Sequence, residues 1–240
     1  MIMETVLEKA RPYLQGRTVR DAVIGLSLLA VELDNGFIGL SYILRKGLQG
    51  GCSVFPYGQQ LIGQDAPGAA AWAVTGGDNV QRAIGTAVLA AASQGQTLPD
   101  SETAGRPFGI ELRSSDTVGM IGNIAPVAEM IRPRVKEIYL FDEGKEKCAS
   151  RAPLIPLEQQ PRLLPGCDLV LLTGTTMING SVDGLLKLCS GAREVVMIGA
   201  STPIFPAAFA GSAVTVLAGS WWQGDHKEAL FKKISLAGGM

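Results

Sequence analysis

The first hundred residues alternate apolar periodicity with turn signals in the order helix, hairpin, helix. Residues 3–16 carry apolar side chains at helical spacing and end in a glycine. The Asp-Asn-Gly tripeptide at 34–36 predicts a hairpin turn between strands at about 19–33 and 37–44, because Asn and Gly tolerate positive φ. Residues 78–95 predict a second helix with one apolar face. This order predicts a small α+β unit.

A change of character follows this unit. Over residues 96–115 the apolar periodicity stops, and Pro, Gly, Ser and Thr accumulate. Such a stretch is typical of a linker between two folded units. We therefore predict two domains, which comprise residues 1–100 and 101–240.

Five short, nearly continuous apolar segments follow the linker, and helical segments alternate with them. The segments lie at 117–123, 137–142, 168–174, 194–200 and 213–219. Apolar strands without polar alternation indicate a parallel sheet that is covered on both faces. The predicted fold class is therefore α/β, with a small α+β domain followed by a Rossmann-like, mostly parallel sheet that carries helices on both faces.

The residues at the strand ends are the candidates for a binding site, because ligands of open α/β sheets bind beyond the carboxyl ends of the strands. Glycine lets a ligand approach the backbone, while hydroxyl groups and helix-start amides hold polar or anionic atoms. The same residue types also serve as ordinary turns and helix caps. Their accumulation on one edge favours a site, and the candidates there are Gly122, Asn123, Asp142, Gly174, Thr175, Thr176, Asn179, Ser201 and Thr202.

Asp142 stands out among these candidates by its spacing. It follows Gly122 by 20 residues, at the end of the second predicted strand of the sheet. An acid at this point commonly accepts the ribose hydroxyls of a nucleotide cofactor. The first strand, however, lacks the G-x-G-x-x-G pattern that cradles a pyrophosphate. S-adenosylmethionine or another nucleotide-like ligand therefore fits no worse than NAD, and a solvated strand-end acid remains the alternative.

One acid interrupts an apolar strand in the N-terminal unit. Glu32 lies within the apolar run at 28–33. An acid inside such a strand either lies on a solvent-exposed face or is buried and has a functional role. The neighbours of Glu32 are too apolar for an ordinary solvent-exposed face. We therefore take Glu32 as the candidate catalytic residue.

Composition narrows the classes of partner. Hydrophobic residues make up 47% of the chain and charged residues 18%, with a net charge of −1, so we expect a sizeable core. The chain has no basic run for nucleic acid and no apolar run of the ~18 residues that cross a membrane. The first residues lack the apolar centre of a signal peptide, which predicts a cytoplasmic protein.

Metal ligands are scarce in the sequence. Its four cysteines form no C-x-x-C pair, and His226 is the single histidine. Structural zinc and iron sites usually draw on clustered His and Cys. We therefore predict no metal site made of clustered His and Cys, and expect any metal to sit on carboxylates or to arrive with an organic ligand.

Several motifs resemble the putative heavy-metal chelation domain family, long catalogued as a domain of unknown function. In the C-terminal half these are DTVGMIGNIAP, LTGTTMINGSVDGLL, VVMIGASTPIFPAAF and VTVLAG. In the N-terminal part, IGLSLLAVEL and DNVQRAIGTAVLAA are similar to the small domain that precedes it, whose fold resembles the N-terminal domain of enolase. The resemblance implies a site between the two domains, a partial likeness to methyltransferase-type Rossmann folds, and a role in heavy-metal handling through a small chelator.

The motifs also imply site residues. They place the site at Gly122, Asn123, Thr175, Thr176, Asn179, Ser201 and Thr202, and the family's recurring strand acid corresponds to Glu32. Asp142 rests on its spacing alone.

Two functions follow as expectations. The first is an enzyme that acts on a chelator-, pterin- or nucleotide-like molecule, with transfer, condensation and hydrolysis all open as reactions. The alternative is a non-catalytic protein that binds a metal–chelator complex, an oxyanion or an adenosyl ligand. In both cases the partner is a small molecule rather than nucleic acid or membrane, and a homo-oligomer remains open.

Overall fold

Two sheets of different kinds organise the chain. In the computed structural model, which describes residues 1–46, 48, 55–98, 106–143 and 153–239, three antiparallel strands form one sheet and six parallel strands form the other. This confirms the predicted fold class. The predicted domain boundary at residue 100 lies outside the described residues and stays a prediction.

The N-terminal unit consists of the antiparallel sheet and helices that pack on one of its faces. The single strand predicted over 19–33 is in fact two strands, because the chain turns at Gly25, whose N–H donates to the Leu28 carbonyl at 2.9 Å. The hairpin turn at 34–36 is confirmed, with φ of +84° at Gly36. The elements are α1 (Ile2–Leu14), β1 (Val19–Ile24), β2 (Leu28–Leu33), β3 (Ile38–Tyr42), α2 (Gly58–Leu61), α3 (Ala66–Thr75) and α4 (Asn79–Ser93).

The C-terminal unit contains all five predicted strands and one more, the two-residue strand β6. Its elements are β4 (Thr117–Ile121), α5 (Ala125–Ile131), β5 (Glu137–Phe141), β6 (Leu154–Ile155), α6 (Gln160–Leu163), β7 (Leu169–Thr173), α7 (Thr175–Ile178), α8 (Val182–Leu188), β8 (Glu194–Ile198), β9 (Val216–Ala218) and α9 (Lys227–Ser235). The helix predicted after β8 is only a 3-10 turn at Pro206–Ala208, because Pro203 and Pro206 each lack an amide donor.

The order of the parallel strands fixes where a ligand can bind. The sheet runs β6-β5-β4-β7-β8-β9, so the direction of winding reverses between β4 and β7. This is the doubly wound order, in which the crevice at the reversal point holds the ligand. The carboxyl ends of β4, β5 and β7 border that crevice. In the described part of the chain, no helix is long and apolar enough to cross a membrane.

Both faces of the antiparallel sheet are covered, which explains why every residue of β2 is buried. Leu29, Val31 and Leu33 pack in one core with α1, α3 and α4. Leu28 and Ala30 pack instead with α9 of the C-terminal unit. The C-terminal helix thus completes the core of the N-terminal unit.

The amino ends of the parallel strands are held together by a buried ion pair. The guanidinium of Arg193 donates to both carboxylate oxygens of Asp116, at 3.1 and 2.9 Å, and Asp116 also accepts the Arg113 N–H at 2.8 Å. Burial alone would raise the pKa of Asp116, but these hydrogen bonds outweigh it and hold the pKa below the ordinary value of 3.8. This tie lies at the edge opposite the crevice.

Gly39 should be intolerant of any side chain, because a Cβ there would collide with the backbone of α4 at Ala87 and Ala91. We expect Gly39→Ala to lower the free energy of unfolding by about 3 kcal/mol. Gly184→Ala is the matched control, since nothing lies near a Cβ in that part of α8, and it should raise stability by about 0.5 kcal/mol. Urea unfolding measures both, and equal effects would contradict the close packing of β3 on α4.

The Asp116–Arg193 ion pair should make the free energy of unfolding fall at acid pH. Because the pKa of Asp116 is lower in the folded state, its contribution is complete above about pH 4 and is lost as the pH falls through the folded-state pKa. Asp116→Asn should cost about 2–3 kcal/mol at pH 7 and flatten the fall in stability below pH 4. Unfolding curves from pH 2.5 to 7 test this, and an unchanged acid limb would contradict the assignment.

Candidate functional site

One side of the crevice at the reversal point is built on the ends of β4 and β5. Gly122 has φ of +89°, and a Cβ on it would lie 2.6 Å from Cγ2 of Thr173, so both backbone and packing require glycine. The N–H of Asn123 donates to Oδ2 of Asp142 at 2.6 Å. The structure thus brings Gly122, Asn123 and Asp142 together, as the strand-end argument predicts.

The end of β7 supplies hydroxyl groups to the same crevice. Thr175 donates through its hydroxyl to Oγ1 of Thr173 at 3.2 Å, and both residues are half-buried. Thr176 is buried and donates to the Thr173 carbonyl at 2.8 Å, which is the bond of a helix-start residue. Thr175 therefore borders the crevice, whereas the hydroxyl of Thr176 is committed to the backbone.

The end of β8 is sealed by the N-terminal unit. The buried hydroxyl of Ser201 accepts the N–H of Tyr42 at 2.7 Å and the hydroxyl of Ser41 at 3.3 Å. Beside it, a Cβ on Gly174 would lie 2.6 Å from the Ser201 backbone and from Oγ1 of Thr202. Ser201 therefore joins the two units across the carboxyl edge.

Three polar atoms along this edge are buried without a hydrogen-bond partner among the described residues. They are Oδ1 of Asn123, Oγ1 of Thr202 and Oγ of Ser220, which follow the ends of β4, β8 and β9. A buried polar atom left unpaired costs about 1–3 kcal/mol, so such atoms are usually met by water or a ligand. The carboxyl edge therefore has unused hydrogen-bonding capacity.

Two residues of this edge, Thr173 and Ser220, are absent from the predicted site. The strand-end rule that selected the other candidates also selects these two residues, since each lies at or just beyond the end of a predicted strand. Asn179, which was predicted, lies further out in an exposed turn. There its Oδ1 accepts the hydroxyl of Ser181 at 2.7 Å and the Ser181 N–H at 3.1 Å.

Glu32 lies in an ion cluster between the antiparallel sheet and α9. Its buried carboxylate accepts a hydrogen bond from Nζ of Lys227 at 2.7 Å and lies 3.5 Å from the Arg20 guanidinium. Lys227 also pairs with Asp21 at 2.6 Å. Burial lowers the pKa of Lys227, but its hydrogen bonds to Asp21 and Glu32 prevail and raise the pKa above its ordinary value. The charged lysine thus neutralises the buried acid.

The described cysteines are poor metal ligands. Cys167 and Cys189 are both buried, and burial raises the pKa of Cys167 to about 12 and that of Cys189 to about 11. The thiolate is the metal-binding form, and at neutral pH these side chains are thiols. No group of three or more His, Cys, Asp or Glu residues in the described ranges could hold a metal ion.

Lys227→Met should destabilise the protein by about 3 kcal/mol, because it leaves Glu32 buried with only the more distant Arg20. Lys232→Met on the exposed part of the same helix should change stability by less than about 0.5 kcal/mol. Adding Glu32→Gln to Lys227→Met should recover part of the loss, since the unpaired charge is then gone. Chemical unfolding of the three variants checks this, and no recovery would argue against a neutralising role for Lys227.

Comparison with known proteins agrees with the architecture. An uncharacterized protein of Methanocaldococcus jannaschii is 27% identical over 162 residues, which cover 66% of this chain but only 61% of that relative's length. A protein of unknown function from Pyrococcus horikoshii superposes with a TM-score of 0.75 at 20% identity, covering 90% of this chain and 86% of its own. One from Desulfitobacterium hafniense gives a TM-score of 0.73 at 20% identity, covering 96% and 91%. These likenesses show the fold.

The sequence profiles settle the family. A profile described as "Putative heavy-metal chelation" matches residues 107–240, and a second profile with the same description matches residues 7–93. The two solved structures come from the family of the first profile. Because that profile alone covers more than half of the sequence, this chain belongs to the putative heavy-metal chelation family, as its motifs implied.

Proposed function

We propose that the chain binds a small organic molecule of the chelator, pterin or nucleotide type at the reversal point and acts on it as an enzyme linked to heavy-metal handling. The observation that carries this proposal is the pairing of the Asp142 carboxylate with Asn123. The backbone of Asn123 is tied to that carboxylate, while its side-chain Oδ1 is buried without a partner among the described residues. The family description supports the link to metals.

The chemistry of these groups defines the class of ligand. A carboxylate and an amide oxygen both accept hydrogen bonds, so they select hydroxyl or amino groups. Anion-binding features are weak at the same place, because Pro126 removes one amide from the first turn of α5 and α7 is a single turn. A ribose, a pterin or a hydroxylated chelator therefore fits better than a free phosphate.

A non-catalytic role is the second candidate, and one observation favours it. The buried acid predicted as the catalyst, Glu32, is neutralised by Lys227 instead of facing the crevice groups. The protein would then hold a chelator or its metal complex without turnover. In either role the metal is handled through the organic ligand, which is consistent with the protonated thiols of Cys167 and Cys189.

A thermal-shift panel tests the proposal. It contains S-adenosylmethionine, S-adenosylhomocysteine, NAD, NADP, ATP, a pterin, oxyanions and divalent metals. A ligand at 100 times its dissociation constant adds about 2.7 kcal/mol, or roughly 5–10 °C in a chain of this size. We expect a shift with an adenosyl compound or the pterin, and a response to metals or oxyanions alone would contradict the proposed ligand class.

Asp142→Asn then locates the site. It keeps a carbonyl acceptor for the Asn123 N–H but removes the charge, and should weaken the responding ligand about tenfold. Glu143→Ala is the matched control, because this neighbouring acid is exposed and pairs with Lys46. Equal losses in the two variants would contradict binding at the reversal point. Turnover of the responding ligand would establish the enzyme, and binding without turnover the second candidate.

A further inference from the structure

A second cleft lies where the end of α9 meets the antiparallel sheet. Its volume is about 420 Å³, within the range of small-molecule sites. The described lining comes from the β1–β2 turn, the segments around β3 and α4, and the end of α9, and it includes none of the predicted strand-end residues. Its apolar walls are formed by Ile24, Leu26, Ile43, Leu48, Phe55 and Val80.

The inner wall of the cleft is packed against the protein core. Ile43 and Val80 are almost completely buried. Phe55 makes edge contacts with Trp72 and Tyr57, at ring-centroid distances of 6.2 and 5.9 Å. Aromatic pairs of this kind stabilise the packing by about 0.5–1.5 kcal/mol each. The apolar surface is therefore preformed and does not need a ligand to assemble it.

The outer wall exposes apolar side chains to water. Leu26 is 66% exposed and Ile24 is 40% exposed, and both line the cleft. Ala237 completes this wall in a left-handed conformation with φ of +59°, which glycine would adopt with less strain. The chain thus keeps a methyl group on the cleft at a position that favours glycine.

One charged side chain decides the class of occupant. Arg45 is the charged residue among the described lining residues, and within the described part of the chain it makes no ion pair. Its neighbour Lys46, in contrast, pairs with Glu143 at 3.2 Å. A guanidinium binds a carboxylate through two parallel hydrogen bonds, which an ammonium group cannot match. An apolar cleft with such a group at its rim is complementary to an amphipathic anion.

We propose that this cleft is a binding site for a small amphipathic carboxylate, whose apolar body lies against Val80 and Phe55 and whose carboxylate pairs with Arg45. The site is separate from the crevice at the carboxyl edge, so the proposal does not depend on the function proposed there. Nothing in the family description addresses it.

Isothermal titration with octanoate, 1-octanol and octylammonium tests the ligand class on the full chain. Octanoate should bind at least tenfold more tightly than the other two, which share its apolar body but lack its charge. Equal affinities for octanoate and 1-octanol would overturn the role of Arg45. Absence of octanoate binding would overturn the proposal.

Variants locate the site. Arg45→Gln should weaken octanoate at least tenfold, and Arg45→Lys should restore part of the affinity. Lys46→Gln is the matched control and should leave binding unchanged, because Lys46 does not belong to the described lining. Leu26→Asp, at an exposed position that tolerates polarity, should weaken octanoate by repulsion. Equal losses in the Arg45→Gln and Lys46→Gln variants would refute the assignment.

The Leu26→Asp variant also tests whether the exposed apolar wall of the cleft is a self-association surface. If the exposed apolar wall were instead an interface between two copies of the chain, light scattering would show a dimer that Leu26→Asp dissociates. That outcome would replace the small-molecule site with a self-association surface. A species whose mass does not change with Leu26→Asp, together with selective octanoate binding, supports the carboxylate site.

Discussion

The docking of the antiparallel sheet against the carboxyl edge of the parallel sheet is the constraint on which the rest of the structure depends. The hydroxyl of Ser201 contributes to it by accepting the Tyr42 N–H at 2.7 Å, beside a core that joins Ala30 to Leu230. A backbone N–H buried without this acceptor would be costly. By closing the end of β8, the contact separates that strand end from the reversal point between β4 and β7.

Local patterns were sufficient to predict most of the fold. Buried parallel strands are continuous apolar runs, and the hairpin at 34–36 has a sequence that few other structures accept. The failures occurred where the pattern carries little information. The turn at Gly25 is marked by Gly25 and Ser27 alone within an apolar run, α3 is half alanine and shows no apolar stripe, and β6 has only two residues. Their structure is decided by tertiary packing.

The placement of the candidate residues at one sheet edge was predictable from the sequence, but their hydrogen-bond partners were not. Sheet topology alone places Gly122, Asn123 and Asp142 side by side. Distinguishing ligand-facing groups from structural ones requires their partners, which are remote in sequence. Ser201 meets Ser41 across 160 positions, and Glu32 meets Lys227 across 195. No rule of sequence spacing predicts such pairs. The position of Glu32 in an apolar strand therefore indicates a specific role, but it does not show that this role is to bind Lys227 of α9.

The packing of α9 on the antiparallel sheet also has a consequence for synthesis on the ribosome. The face with Leu28, Ala30 and Glu32 is made early, but the helix that covers it begins at Lys227. At a translation rate of about 5–20 residues per second, roughly 10–40 s pass between the synthesis of this face and the synthesis of α9. During that interval the nascent chain presents an apolar face with a buried-site acid still in water. Glu32 then acts as a solubilising charge on the unfinished sheet before Lys227 arrives to neutralise it.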